Sequence, residues 1–239
     1  MRISNRQAQE LRTVEITPDI NIYAEGSCLI KCGNTKVICT ASVEEKLPNW
    51  LKDGDHGWVT AEYSLLPRST QTRNSRETHG TGGRTHEIQR LIGRSLRAAV
   101  DLYALKGYSI TIDCDVIQAD GGTRTASITG SFVALYIALE KMVKEHKLAK
   151  NPIIEHIAAI SAGICNGEIL LDLEYAEDSK AEVDANFVLT ESGKIVEIQG
   201  TAEGNPFTKE QYDTLFNYAH QGIMQLIAKQ KEALKNAKI

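Results

Sequence analysis

The pattern of apolar and polar positions changes several times along the chain, and each change marks an element. The first third reads as β structure. Residues 28–32 (CLIKC) and 35–43 (TKVICTASV) flank Gly33-Asn34, a strong two-residue hairpin signal, and 57–65 (GWVTAEYSL) predicts a further strand. From Arg68 to Glu87 there is no large aliphatic or aromatic side chain, and the stretch ends in THGTGGRT. Loops of this length inside a compact domain are uncommon and usually functional or disordered. A helical period follows, with Ile88, Leu91, Ile92, Ser95, Ala99 and Leu102 on one face and Arg90, Arg94, Arg97 and Asp101 on another. Residues 108–117 (YSITIDCDVI) alternate again, with Ile110, Ile112, Cys114 and Val116 to one side. They run into QADGGTRTASITGSFVALYIALEKMV, a glycine turn and an apolar helix whose small first residues predict close packing.

The second half repeats the theme. Strands are expected at 157–164 and 168–173 around Cys165-Asn166-Gly167, and at 181–190 and 194–199 around Ser192-Gly193. A last helix opens with Thr208-x-x-Gln211, a capping-box pattern. Its apolar face is Tyr212, Leu215, Phe216, Ala219, Ile223, Leu226 and Ile227, while its polar tail, KQKEALKNAKI, is expected to fray. With no Pro- or Ser-rich linker between the halves, residues 1–239 read as a single compact α+β domain with mixed β-sheets and packed helices.

Composition narrows this little: 42% hydrophobic and 24% charged residues describe an ordinary globular chain. There is no long uncharged apolar run and no secretory h-region, so no membrane partner and a cytoplasmic location are expected. The five cysteines include no CxxC pair and the histidines have no metal-ligand spacing, which predicts buried, reduced thiols. Charge distribution says more than the net −4. Arg68 to Arg97 holds seven arginines and no lysine, and Leu170 to Asp184 holds six acidic residues against Lys180 alone.

Four constellations could carry chemistry. Gly121-Gly122-Thr123-Arg124-Thr125 lies where a strand passes into a helix. Glycines let an anion approach the backbone, the first helical amides point at it, and Arg124 adds a planar fork suited to phosphate. A plain tight turn with an N-cap threonine would also fit GGT alone, but positive charge at a helix start favours the anion site. Gly82-Gly83-Arg84-Thr85 repeats this grammar, so two helix starts could converge on one phosphate. The acidic run Asp178-x-x-x-Glu182-x-Asp184, with Asp172 upstream, sets residues 182 and 184 on one strand face with Val183 inward. Such carboxylates can hold Mg²⁺ or act as general acid or base, or form a solvated acidic turn. Arg68, Arg73 and Arg76, among Ser, Thr, Gln and Asn and without aromatics, suit contact with a nucleic-acid backbone rather than base stacking. A merely solvated loop is the other reading.

The stretches EGSCLIKCGNTKVICTASVEE, GWVTAEYSLLPRST, GGRTHEIQRLIGRSLRAAVD, IDCDVIQADGGTRTASITG and EDSKAEVDANFVLTESGKIVEIQGTAEG resemble ribonuclease PH, in order and over the whole chain. The resemblance implies a phosphorolytic 3′→5′ exoribonuclease, also described as a tRNA nucleotidyltransferase, that trims tRNA precursors and other RNA 3′ ends. Inorganic phosphate is the co-substrate, nucleoside diphosphates are released, and the reverse reaction adds nucleotides. It implies phosphate binding by Arg84, Gly122, Thr123 and Arg124, and catalysis with Mg²⁺ ligation by Asp178 and Asp184. RNA contact falls to Arg68, Arg73 and Arg76. It also implies a left-handed β–α–β element and a homo-hexamer, a ring built from three dimers, with the Arg90/Arg94/Arg97 face lining a subunit contact or the RNA path. The main alternative is a catalytically inactive RNA-binding subunit of an exosome-like ring, since such relatives keep the fold. A small-molecule kinase is disfavoured because no GxxxxGK[ST] loop is present. Half of a larger polynucleotide phosphorylase is disfavoured by length.

Overall fold

The computed structural model describes residues 2, 4–52, 54–76 and 82–239. The expected elements are present and two β-sheets organise them. The hairpin forms as β2 (Gly26–Cys32) and β3 (Thr35–Glu44), antiparallel with Cys32 opposite Thr35. An unexpected strand, β1 (Val14–Pro18), adds to the outer edge of β2. It is only five residues long, half-buried and closed by a proline, which sheets tolerate at an edge. β4 (Trp58–Leu65) and β5 (Ser109–Gln118) complete a sheet of order β1-β2-β3-β5-β4. β4 and β5 run parallel, so the chain between them must cross over. Helix α1 (Gly83–Ala98) makes that crossing on the β4 side, giving the expected β–α–β element. Residues 77–81, with the first part of the glycine-rich stretch, lie outside the described residues.

The second sheet has the order β7-β6-β8-β9, all antiparallel: β6 (Ile157–Cys165), β7 (Glu168–Leu171), β8 (Val183–Thr190) and β9 (Ile195–Ala202). β7 and β8 are joined through a one-turn helix, α3 (Tyr175–Asp178). Helix α2 (Thr123–Lys144) packs on β2 and β3 and also on β6, and α4 (Lys209–Lys235) packs on β6, β7 and β1. β6 is therefore covered on both faces and buried at every position, which explains its unbroken run of small and apolar residues. The small residues at the start of α2 do allow close approach. A Cβ on Gly130 would sit 2.7 Å from Ile30 and 2.9 Å from Cys39. Among the described residues α2 is the one helix apolar and long enough to cross a bilayer, but 78% of its most apolar window is buried between the sheets.

All five cysteines are buried and unpaired. The tail of α4 does not fray. Gln230 is fully buried and donates to the carbonyls of Thr129 (3.0 Å) and Ile157 (2.9 Å). Ala233 is buried, and Leu234, Ala237 and Ile239 pack against the main core. One buried amide that satisfies two carbonyls outweighs the polar look of KQKEALKNAKI.

Candidate active site

A cleft of about 1140 Å³ opens between the two halves. It is lined by the end of β4, the start of the basic loop, the β5–α2 turn and the start of α1 from one side, and by β6, α3 and β8 from the other. Seven of the nine residues given a role by the resemblance meet there: Arg68, Arg84, Gly122, Thr123, Arg124, Asp178 and Asp184. Arg73 and Arg76 do not line it and lie exposed further along the loop. Arg68 is brought in because the loop is tied down beside it: the Ser69 carbonyl accepts from the Ala119 amide at 2.8 Å, next to the glycine turn.

The turn before α2 has the geometry its glycines allow. Gly121 and Gly122 take φ of +76° and +64°, and a Cβ at Gly121 would meet the Leu173 carbonyl at 2.5 Å. No side chain caps α2, and its first turn holds no carboxylate, so an anion can take the place of the cap. Thr123 Oγ1 shares a 2.8 Å hydrogen bond with the Tyr63 hydroxyl. Arg124 donates to Gln199 (3.1 Å) and Glu87 (3.3 Å). Gln199 donates in turn to Glu197 (3.1 Å), and Glu197 accepts from Arg94 (2.6 and 2.9 Å). The arginine face of α1 is thus largely committed within the chain. Arg94 anchors β9, while Arg97 lies 4.2 Å over the Trp58 ring and donates to the Val59 carbonyl. Asp101 caps the short 3₁₀ turn at Leu102–Leu105, and Arg90 is exposed.

The acidic run divides. Asp178 ends α3 and Asp184 is the second residue of β8, and both face the cleft. Val183 between the strand positions is buried as expected, but Glu182 is exposed and accepts from the Gly167 amide at the β6–β7 turn. Asp172 belongs to neither group. It is buried against Arg12, which donates to both its oxygens, at 2.7 and 3.1 Å.

 In sequence this pair is separated by 160 positions, and Asp172 does not line the cleft.

Electrostatics separate the two cleft carboxylates from ordinary surface acids. Burial, and then the neighbouring Asp178, push the Asp184 carboxyl up to about 6, against the pull of Arg124 and Arg84. Burial also raises Asp178, opposed by Arg84, Arg124 and Arg12. The charges of both helix starts therefore act on the same two carboxylates. Among the described residues no three His, Cys, Asp or Glu side chains gather as a metal cage. Two all-oxygen donors with room for water and phosphate oxygens still suit Mg²⁺, which usually takes one or two carboxylates and keeps several waters.

Sequence reasoning did not single out Tyr63, Ser161, Asn186 and Glu203, which also line the cleft. Tyr63 had a signal: it is the last fully buried position of β4, where a hydroxyl needs a partner. The others have no local signal, because only the pairing of β6, β8 and β9 brings them to the cleft.

Two sheets around a shared core helix, with an uncapped helix start opposite two carboxylates, define a ribonuclease PH-type α+β fold. Solved structures share that fold. Rice (Oryza sativa) Rrp46 superimposes with a TM-score of 0.79 at 17% identity, over 98% of this chain and 100% of that one. An Archaeoglobus fulgidus exosome with RNA bound to the active site gives 0.80 at 23% identity, over 95% and 92%. An archaeal exosome core gives 0.77 at 22%, over 96% and 91%. The family models for domains 1 and 2 of the 3′ exoribonuclease family match residues 10–139 and 156–222. The chain belongs to the 3′ exoribonuclease family.

Proposed function

We propose that this protein is a phosphorolytic 3′→5′ exoribonuclease that shortens tRNA precursors and other RNA 3′ ends. The observation that carries the reading is the meeting of Arg84, Thr123 and Arg124 with Asp178 and Asp184 in one cleft. Arg84, Thr123, Arg124 and the amide of Gly122 hold inorganic phosphate and replace its hydration with fixed donors. A phosphate oxygen attacks the phosphorus of the last phosphodiester, and the bond to the 3′-oxygen of the preceding nucleotide breaks. The products are a nucleoside diphosphate and an RNA one nucleotide shorter, whose new 3′-hydroxyl takes up a proton. Asp178 and Asp184 would hold Mg²⁺ or deliver that proton. When bound, Mg²⁺ would offset repulsion between the attacking and target phosphates.

Arg68, at the cleft, and Arg73 and Arg76, outside it, are placed in this reading along the path of the RNA backbone. A homo-hexameric ring would set such loops side by side. The buried, unpaired cysteines support a reducing compartment, in keeping with a cytoplasmic location.

The likeness to Rrp46 over the whole chain, and to exosome cores, favours a second reading: an RNA-binding ring subunit without catalysis. One experiment separates the two. The protein is incubated with Mg²⁺ and a tRNA carrying a short 3′ extension, with and without phosphate, and the released nucleotide is identified. Nucleoside diphosphates that need phosphate are expected. Monophosphates without phosphate would mean hydrolysis and refute the phosphate site. Retained tRNA without product would establish the second reading.

A further inference from the structure

The N-terminal segment contains a group that none of the chemistry above uses. Arg12 is 5% exposed, does not line the cleft, and makes hydrogen bonds both to the buried Asp172 and to the β5–α2 turn of the site. Its Nε and Nη2 donate to the two oxygens of Asp172 (3.1 and 2.7 Å), and its backbone amide donates to Oδ2 at 2.8 Å. Its Nη1 donates to the Asp120 carbonyl at 2.6 Å, and a longer contact of 3.4 Å reaches the Gly121 carbonyl. Thr35 completes the set. Its hydroxyl donates to the Gly121 carbonyl (2.7 Å) and accepts from the Asp120 amide (2.9 Å).

These bonds have a stereochemical consequence. In a planar trans peptide the C=O and N–H point in opposite directions. Holding the Asp120 carbonyl on Arg12 therefore turns the Gly121 amide away from it. Holding the Gly121 carbonyl on Thr35 and Arg12 does the same for the Gly122 amide. Both glycines line the cleft. Glycine permits the positive φ seen at each but accepts many other conformations, so the residue type alone does not define this orientation. The same guanidinium grips Asp172, six residues before the cleft carboxylate Asp178.

We infer that Arg12, held by Asp172 and assisted by Thr35, is a positioning residue that sets the backbone donors of the phosphate turn against the acidic loop. The inference rests on the phosphate site proposed above. Its clamp is a planar fork serving a carboxylate and a carbonyl together, which a lysine ammonium cannot reproduce.

The test uses inorganic phosphate as the probe and needs no turnover. Thermal melting of the full chain is titrated with phosphate, and a dissociation constant is taken from the rise in Tm. Four proteins are compared: the unaltered chain, Arg12→Lys, Thr35→Val and Arg124→Ala. Arg12→Lys and Thr35→Val are each expected to weaken phosphate binding roughly tenfold, the worth of one well-aimed hydrogen bond to a charged group. Thr35→Val keeps the side-chain volume and serves if Arg12→Lys does not fold. A role in packing alone would lower the starting Tm and leave the dissociation constant unchanged, and that result in either folded variant overturns the inference. An Arg124→Ala protein that binds phosphate like the unaltered chain, or an unaltered chain that shows no rise, would instead refute the phosphate site itself.

Discussion

Asp184 shows how one residue can serve a site at a cost to the fold. Its carboxyl titrates near 6 in the folded chain, above the ordinary value for aspartate, because burial and Asp178 both disfavour its charge. Between about pH 4 and 6 the folded state therefore holds a proton that the unfolded state has lost. Stability falls as pH rises through that window, and at pH 7 the ionised group costs on the order of 2 kcal/mol. Asp184→Asn removes this cost. In Mg²⁺-free buffer it is expected to raise Tm at pH 7 by roughly 5 °C and to change Tm little at pH 4. The same variant is expected to lose phosphorolysis nearly completely while still binding RNA. Lost RNA affinity as its only defect would remove Asp184 from the chemistry.

At the scale of elements, three of them cooperate to hold a single arginine. Arg94 of α1 fixes Glu197 of β9, Glu197 accepts from Gln199, and Gln199 accepts from Arg124 at the start of α2. The chain of contacts is partly exposed, so it contributes little to stability, within the range of about 0.2–1 kcal/mol usual for surface pairs. In the proposed phosphate site its value would lie in keeping the Arg124 fork ordered before the anion arrives. Gln199→Ala is expected to weaken phosphate binding about threefold and to shift Tm by no more than roughly 2 °C. A phosphate titration that matches the unaltered chain would show that Arg124 needs no support from β9.

Across the whole molecule, the N-terminal segment ties the two halves of the cleft together through buried charge. Arg2 holds Glu177 with two 2.7 Å hydrogen bonds, and Arg6 reaches Glu174 at 3.1 Å, so α3 and its Asp178 are fixed from outside the sheet. Burial alone would raise Asp172 and Glu177, but their arginine partners carry both below the ordinary range. Groups lowered in this way stabilise the fold above their unfolded values near 4, and that stability is lost as pH falls through the lower folded values. Glu177→Gln leaves the buried Arg2 without its counter-charge, which costs about 3–5 kcal/mol. A fall in Tm of roughly 10 °C at pH 7 is expected, with a shallower decline of Tm below pH 4 than in the unaltered chain. An unchanged acid limb would mean that Glu177 does not report on this network.

Features with local causes were legible in the chain before any fold was known. Alternating or continuously apolar runs bounded by turn residues became β2 to β9, the 3.6 period of Ile88 to Ala99 became α1, and Thr208-x-x-Gln211 became the capping box of α4. The two glycine turns marked the helix starts that meet at the cleft. Which polar groups those elements share was settled by long-range packing. Asp172 looks like a member of the acidic site because it lies near Asp178 in the chain, yet Arg12, from the opposite end, takes it into the interior. The tail of α4 looks disposable because its composition is polar, yet Gln230 satisfies carbonyls of α2 and β6. Side-chain pairing across such separations has no period and no spacing to read. It depends on how sheets, helices and turns stack, and on the need of every buried polar group to find a partner.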